Sequence, residues 1–235
     1  MMPEDASQRE NRTVVQSAAD AMLARLPIAA NPYLAALCNG RMTRETFVRT
    51  QRQFFFAVSF FSRPMAALMS RMPDSASRRT LMHNLAEEHG FDDEGDGGIH
   101  PAMAHDRTLL AFLATLGVEA ASVVREGEGP GVRAFNLALL AACLGEPPTL
   151  AFACLGIIEY MFADISAIIG KAVVDRGWIA SSELIHYKLH AAIDKRHAAE
   201  FFATVNAGDC RAMEDGLALG QHIFDHLYTS LFSLR

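Results

Sequence analysis

Residues 149–170 read "TLAFACLGIIEYMFADISAIIG", among the longest apolar runs in the chain, and Glu159 stands in its middle. The run raises the question of a membrane span. Glu159 and Asp164 argue against one, because a carboxylate in hydrocarbon is expensive. Read as a helix, the stretch places Phe152, Leu155, Glu159 and Phe162 on one face, at offsets of three, four and three. The residues around Glu159 are too hydrophobic to leave it a polar side, so it is expected inside. A buried carboxylate needs a partner or a metal, and the neighbouring segments are searched for what would face it.

Helical patterns extend in both directions. Periodicity and stop signals predict helices over 13–25, 31–38, 43–71 (broken or kinked at Pro64), 75–89, 105–116, 131–144, 147–171, 179–206 and 208–232. Thr43 and Ser75 are read as N-caps, Asp209 or Gly208 as the opening of the last helix, and Gly90, Gly117, Gly145 and Gly170 as marking helix ends. "GFDDEGDGGIHPAMA" (90–104) and "VVREGEGPG" (123–131) are read as loops, the first with an acidic excess in Asp92, Asp93, Glu94 and Asp96. Strand-like alternation is essentially lacking. The expectation is an all-α bundle of about seven to nine helices, with residues 1–12 frayed and 13–235 forming one domain.

Composition narrows the function classes. The chain has 235 residues, 51% of them apolar, which suffices for one substantial core. A net charge of −6 and the lack of a dense basic cluster argue against nucleic-acid binding. The polar N-terminus "MMPEDASQRE" is not expected to be a signal peptide, and the four cysteines, Cys38, Cys143, Cys154 and Cys210, show no CxxC spacing. A soluble, cytoplasmic protein with reduced thiols and no membrane partner is expected.

Groups able to face Glu159 stand in "HYKLHAAIDKRHAAEF" (186–201). His190, Asp194, His197, Phe201 and Thr204 share one helical face, and His186 and Glu183 extend it backwards. Lys188, Lys195, Arg196 and Glu200 point to solvent on this reading. Imidazole and carboxylate at i, i+4 and i+7 can converge on one point beside a helix, a donor mix that suits iron or manganese and tolerates zinc. In "TLMHNLAEEHG" (80–90), Glu88 shares a face with Leu81 and Leu85 and is the inward carboxylate. Glu87 lines up with His83, toward solvent, and is the less favoured ligand.

The segments "NLAEEHG", "HDRTLLAFLATLG", a glutamate in a hydrophobic helix and "HAAIDKRH", in that order, resemble the heme-oxygenase-like diiron oxidases and oxygenases, relatives of the thiaminase-type and pyrroloquinoline-quinone-synthase-type bundles. "QRQFFFAVSFFSRPMAAL" (51–68) resembles the family's aromatic-rich early core helix. The resemblance runs from about residue 45 to the C-terminus. It implies a heme-oxygenase-like fold and an iron- and dioxygen-dependent oxidoreductase, acting in biosynthesis on a small amino- or carboxylate-bearing metabolite. It also implies two ferrous ions, with manganese or mixed occupancy as the alternative, and Glu88, His105, Glu159, His190, Asp194 and His197 on the metal-ligand positions. His100 is the weaker choice beside His105. His186, Tyr160, Phe56, Phe60 and Phe162 are expected around the pocket, His186 either behind a ligand or at the pocket mouth, with Phe54, Phe55, Phe61 and Phe152 as further candidate walls. An external electron donor and a homodimer complete the expected partners.

One departure from the pattern stands out. Several members place a further ligand carboxylate on the early core helix, whereas "FFFAVSFFSRPM" (54–65) has none. The site would then have six protein ligands, or recruit a substrate carboxylate or water. Two other readings remain beside the diiron one. A metal-free thiaminase-like or cofactorless enzyme of the same fold would, in the thiaminase case, need Cys154 or Cys143 as nucleophile. A non-catalytic protein would carry the site as a vestige. His222 and His226, four residues apart, are expected at the surface or a dimer interface.

Overall fold

A computed structural model describes residues 6–92 and 95–233. Among these, ten α-helices form the protein and no strand occurs beyond one isolated bridge between Phe91 and Ile99. The helices are α1 (Ala6–Arg25), α2 (Pro32–Cys38), α3 (Arg44–Arg71), α4 (Ser75–Glu88), α5 (His105–Thr115), α6 (Ala120–Glu126), α7 (Pro130–Gly145), α8 (Pro148–Asp175), α9 (Ile185–Thr204) and α10 (Cys210–Phe232).

Several boundaries differ from expectation. Helix α1 already runs from Ala6, so the fraying expected through residue 12 does not hold for residues 6–12; Met1–Asp5 lie outside the described residues. The cap of α4 is Asp74, not Ser75: its carboxylate accepts from Ser77 N at 2.9 Å. Helix α3 continues through Pro64. The segment 123–131 is not one loop, because its "VVRE" is the last part of α6 and Pro130 opens α7 at N1, where a missing N–H costs nothing. Helix α8 runs past Gly170 to Asp175. Gly170 serves packing instead, since a Cβ there would stand 2.7 Å from Leu184 Cδ2. The turn that ends α8 contains Gly177 at φ +64.

Helix α8 is the axis, packed along its length by α9 and α10, with α2 and α7 beside it. By length and composition it could cross a membrane, but 78% of that apolar stretch is buried inside the bundle. Small residues set the helix spacing. A Cβ at Gly156 would meet Phe202 of α9 at 2.6 Å, and one at Gly220 of α10 would meet the Cys154 carbonyl at 2.6 Å. Helices α3, α4 and α5 close the other side, and α1 covers the back of α9. The core between α4, α5, α8 and α9 is where polar residues collect.

Candidate metal centre

Four helices each bring a titratable side chain to one point. Glu88 ends α4, His105 begins α5, Glu159 lies midway along α8, and His190, Asp194 and His197 line one face of α9. All six are buried, with exposures of 8% or less. The structure thus brings together the six residues that the sequence and the resemblance picked out. His105, not His100, reaches the cluster. His100 is exposed in the 90–104 loop, its Nε2 2.9 Å from Asp96 Oδ1; Asp93 and Glu94 of that loop lie outside the described residues.

The geometry has two parts. Glu159, Asp194 and His197 offer ligand atoms that all lie within 4.8 Å of one another. His197 Nδ1 is 3.8 Å from Glu159 Oε2 and 3.9 Å from Asp194 Oδ1, too far for hydrogen bonds and wide enough to admit an ion. Beside them, His105 Nδ1 is 2.8 Å from Glu88 Oε1, and the His105 and His190 rings meet edge to face at 4.4 Å.

Hydrogen bonds fix which imidazole nitrogen is free. Glu87 Oε2 lies 2.8 Å from His197 Nε2, and an ionised carboxylate only accepts, so Nε2 carries a proton and, in the neutral ring, Nδ1 is the nitrogen with the lone pair. His190 Nδ1 lies 2.9 Å from Asp194 Oδ1, and with Asp194 ionised it donates there and leaves Nε2 bare. The Thr108 hydroxyl donates to the His105 carbonyl, so the His186 Nδ1–H donates to Thr108 and its Nε2 is bare as well. His186 Nε2, His190 Nε2 and His197 Nδ1 are buried without hydrogen-bond partners. An unsatisfied buried polar atom costs about 1–3 kcal/mol, and the two on His190 and His197, beside the carboxylates, are explained by a cation that takes up their lone pairs. The donor set of carboxylates and neutral imidazoles fits ferrous iron.

Burial and neighbouring charges set the protonation of the metal-free cluster, which metal binding would have to displace. Burial, with the Asp194 charge beside it, pushes Glu159 up to about 7, and burial pushes Asp194 up to about 8. Burial drives His190 well below its ordinary value. Burial opposes charge on His197 too, but the carboxylates of Glu159 and Glu87 on its two sides outweigh it and hold it well above the ordinary value.

Glu87 does not point to solvent, as its alignment with His83 suggested. It is 8% exposed and accepts from Arg196 Nη2 at 2.5 Å as well as from His197. Burial would raise it, but His197 and Arg196 bring it down to about 2. Arg196, read as a solvent-facing residue, belongs to this network, and Glu200 receives it at 3.3 Å. The signal for Glu87 lay in the pairing of α4 with α9, which no local pattern carries.

A cavity of about 40 Å³ opens against Glu88, His105, Glu159 and His190. Its remaining wall is Phe54, Ala57, Val58 and Phe61 from α3, Phe135 from α7, Ile158 and Phe162 from α8, and Phe224 from α10. Of the expected aromatic walls, Phe54, Phe61 and Phe162 are there, and the Phe162 ring lies 4.8 Å from that of His190. Phe56 instead packs on Phe55, Phe60 under Arg63, and Phe152 on Phe201. The Tyr160 hydroxyl turns outward to Asp20 of α1 at 2.8 Å, because one step along a helix is another face. Of the two places open to His186, the structure shows the one behind a candidate ligand: it is fully buried beside His190, not at a mouth. His105 also borders a second cavity of about 160 Å³, between α9 and the 90–104 loop, whose lining includes Glu87, Asp92 and Arg196.

The thiol alternative finds no support in this geometry. Cys143 and Cys154 are buried in the core and line neither cavity. Burial pushes the Cys143 thiol up to about 12 and raises Cys154 as well, the opposite of an activated nucleophile. His222 and His226 are exposed on α10, their rings stacked at 6.2 Å, apart from both cavities.

Solved structures show the same fold. A domain of unknown function with a heme oxygenase-like fold from Shewanella denitrificans is 14% identical, with a TM-score of 0.72 over 93% of this chain and 89% of that one. A TenA homolog from Pseudomonas syringae is 14% identical, with a TM-score of 0.67 over 97% and 93%. A TenA family transcription regulator from Silicibacter is 13% identical, with a TM-score of 0.60 over 98% and 96%. At these identities the likeness concerns the fold alone. None of the curated proteins matches the chain. Residues 48–222, spanning α3 to α10 and every member of the cluster, match the family model described as iron-containing redox enzyme, and the chain belongs to that family.

Proposed function

We propose that the protein is a non-heme diiron enzyme that uses dioxygen to oxidise a small organic metabolite. Two irons would be held by Glu88, His105, Glu159, His190, Asp194 and His197. The observation that carries the reading is that His190 Nε2 and His197 Nδ1 are buried without hydrogen-bond partners among three buried carboxylates. Iron bound there supplies the electrons that activate dioxygen. The protein's own part is positional. Glu87 holds His197 with Nδ1 inward, and Asp194 holds His190 with Nε2 free. Glu159 and Asp194, raised by burial, give up protons as the metal enters. Phe54, Phe61 and Phe162 keep water from the reacting face. An external electron donor and a cytoplasmic location, which the free cysteines favour, belong to the same proposal.

The test is to load metal-free protein with ferrous iron under argon and then admit dioxygen. Dioxygen uptake in proportion to bound iron is expected, and its loss in Glu159→Ala and His190→Ala. Iron that stays ferrous in air, or uptake unchanged in both variants, overturns the proposal.

A further inference from the structure

The substrate's reacting part can be read from what the smaller cavity lacks. The four polar residues that line it are Glu88, His105, Glu159 and His190, all members of the cluster. Every other lining residue is apolar. Helix α3, which in several members of the resembling family brings a further carboxylate, here presents Phe54, Ala57, Val58 and Phe61. Among the described residues, no lysine, arginine, asparagine, glutamine, serine or threonine lines the cavity, so nothing described in its wall outside the cluster could pair with a carboxylate, an ammonium or an amide of a bound molecule. Burying such a group without a partner costs several kcal/mol in an apolar setting. A methylene placed there gains about 0.8 kcal/mol from leaving water. The second cavity offers the opposite chemistry, since Glu87, Asp92 and Arg196 line it.

We infer that the smaller cavity binds an uncharged hydrocarbon segment of the substrate, alkyl or aryl, and presents its C–H bonds to the cluster. Any charged end lies outside this cavity or on the metal. This rests on the proposed function for its reaction but not for its binding chemistry. Ala57 and Val58 set how much hydrocarbon fits. Ala57 is 3% exposed, so a larger side chain there fills the cavity; Val58 is half-buried, so enlarging it tests the same wall with less strain on the core.

The cavity, about 40 Å³, takes a short segment only, so the experiment uses metal-free full-length protein with 1-propanol and propanoate as probes, read by methyl chemical shifts in solution. Saturable binding of propanol is expected, with shifts at Ala57, Val58 and Ile158. Propanoate is expected to bind at least about ten-fold more weakly, since its charge meets Glu88 and Glu159, and His105 is already paired with Glu88. Ala57→Phe or Val58→Phe, whichever folds, lowers propanol affinity by about ten-fold or more. Lack of saturable propanol binding, equal binding of propanoate, or affinity untouched by the substitution overturns the inference. Because no metal is needed, a failure here leaves the iron proposal standing. Propanol binding in a protein that takes up no iron would separate the two in the other direction.

Discussion

The two halves of the cluster are built to different standards. On one side, Glu159, Asp194 and His197 converge within 4.8 Å, and His197 is pinned from behind by Glu87, which Arg196 holds in turn. On the other, Glu88, His105 and His190 are joined by one ion pair and a ring contact, and all three, with Glu159 from the first half, line an apolar cavity. The first half is braced by charges reaching toward the surface. The second is open to a ligand. An enzyme that must hold metal and also bend around a reacting molecule profits from such a division, since a rigid half retains the ions while an open half admits the substrate.

The braced half should break hardest. Asp194→Ala removes a carboxylate that faces His197 and anchors His190, so it touches both halves. Ferrous affinity is expected to fall by about 1,000-fold or more, measured by anaerobic titration. In metal-free protein, Asp194→Asn should have the opposite sign and raise the melting temperature at pH 8, because a buried charge with nothing bound beside it is a cost.

Acid should weaken metal uptake nearly as much. Glu159 at about 7 and Asp194 at about 8 must lose protons to ligate, so affinity falls by about 100-fold or more between pH 8 and pH 6. Without metal the linkage runs the other way. Folded-state values above the ordinary 4.5 and 3.8 mean that the folded protein binds more protons than the unfolded chain. The contribution of this pair to stability is therefore largest at low pH and is lost as pH rises through about 7 and 8. Thermal melts of metal-free protein across that range check the sign.

How far this division was legible in the sequence depends on which contacts are local. His190, Asp194 and His197 could be read because a 3.6-residue period puts them on one face. Glu88 could be told from Glu87 by its offset from Leu81 and Leu85, and Glu159 stood out against apolar neighbours. The brace was not legible. Glu87 is buried because Arg196 and His197 of a distant helix meet it, and its local pattern with His83 pointed to water. The cavity wall was half legible. The phenylalanines of α3 were evident as a group, but which of them face the site depends on how α3 lies against α7 and α10. Phe135 and Phe224 enter from those two helices, and nothing near them in sequence marks them.

The brace itself gives the next prediction. Glu87→Gln keeps the size but removes the charge that fixes the His197 tautomer, and ferrous affinity should drop about 10–100-fold, confined to one of two binding phases. A uniform drop in both phases would erase the distinction between the halves. Gly156→Ala should act on spacing: its Cβ would press on Phe202, pushing α8 from α9 where Glu159 faces His197, at a cost of about 1–3 kcal/mol in denaturant melts. Smallest of all, Tyr160→Phe loses an outward bond to Asp20 and should change neither iron affinity nor stability by more than about 0.5 kcal/mol.

The most direct measurement is Mössbauer spectroscopy of protein titrated anaerobically with enriched ferrous iron. Two spectroscopically distinct ferrous sites are expected, the braced one filling before the cavity-facing one, with a total of two irons per chain. A single class of site saturating at one iron, or no bound iron at all, would contradict the two-halved diiron centre.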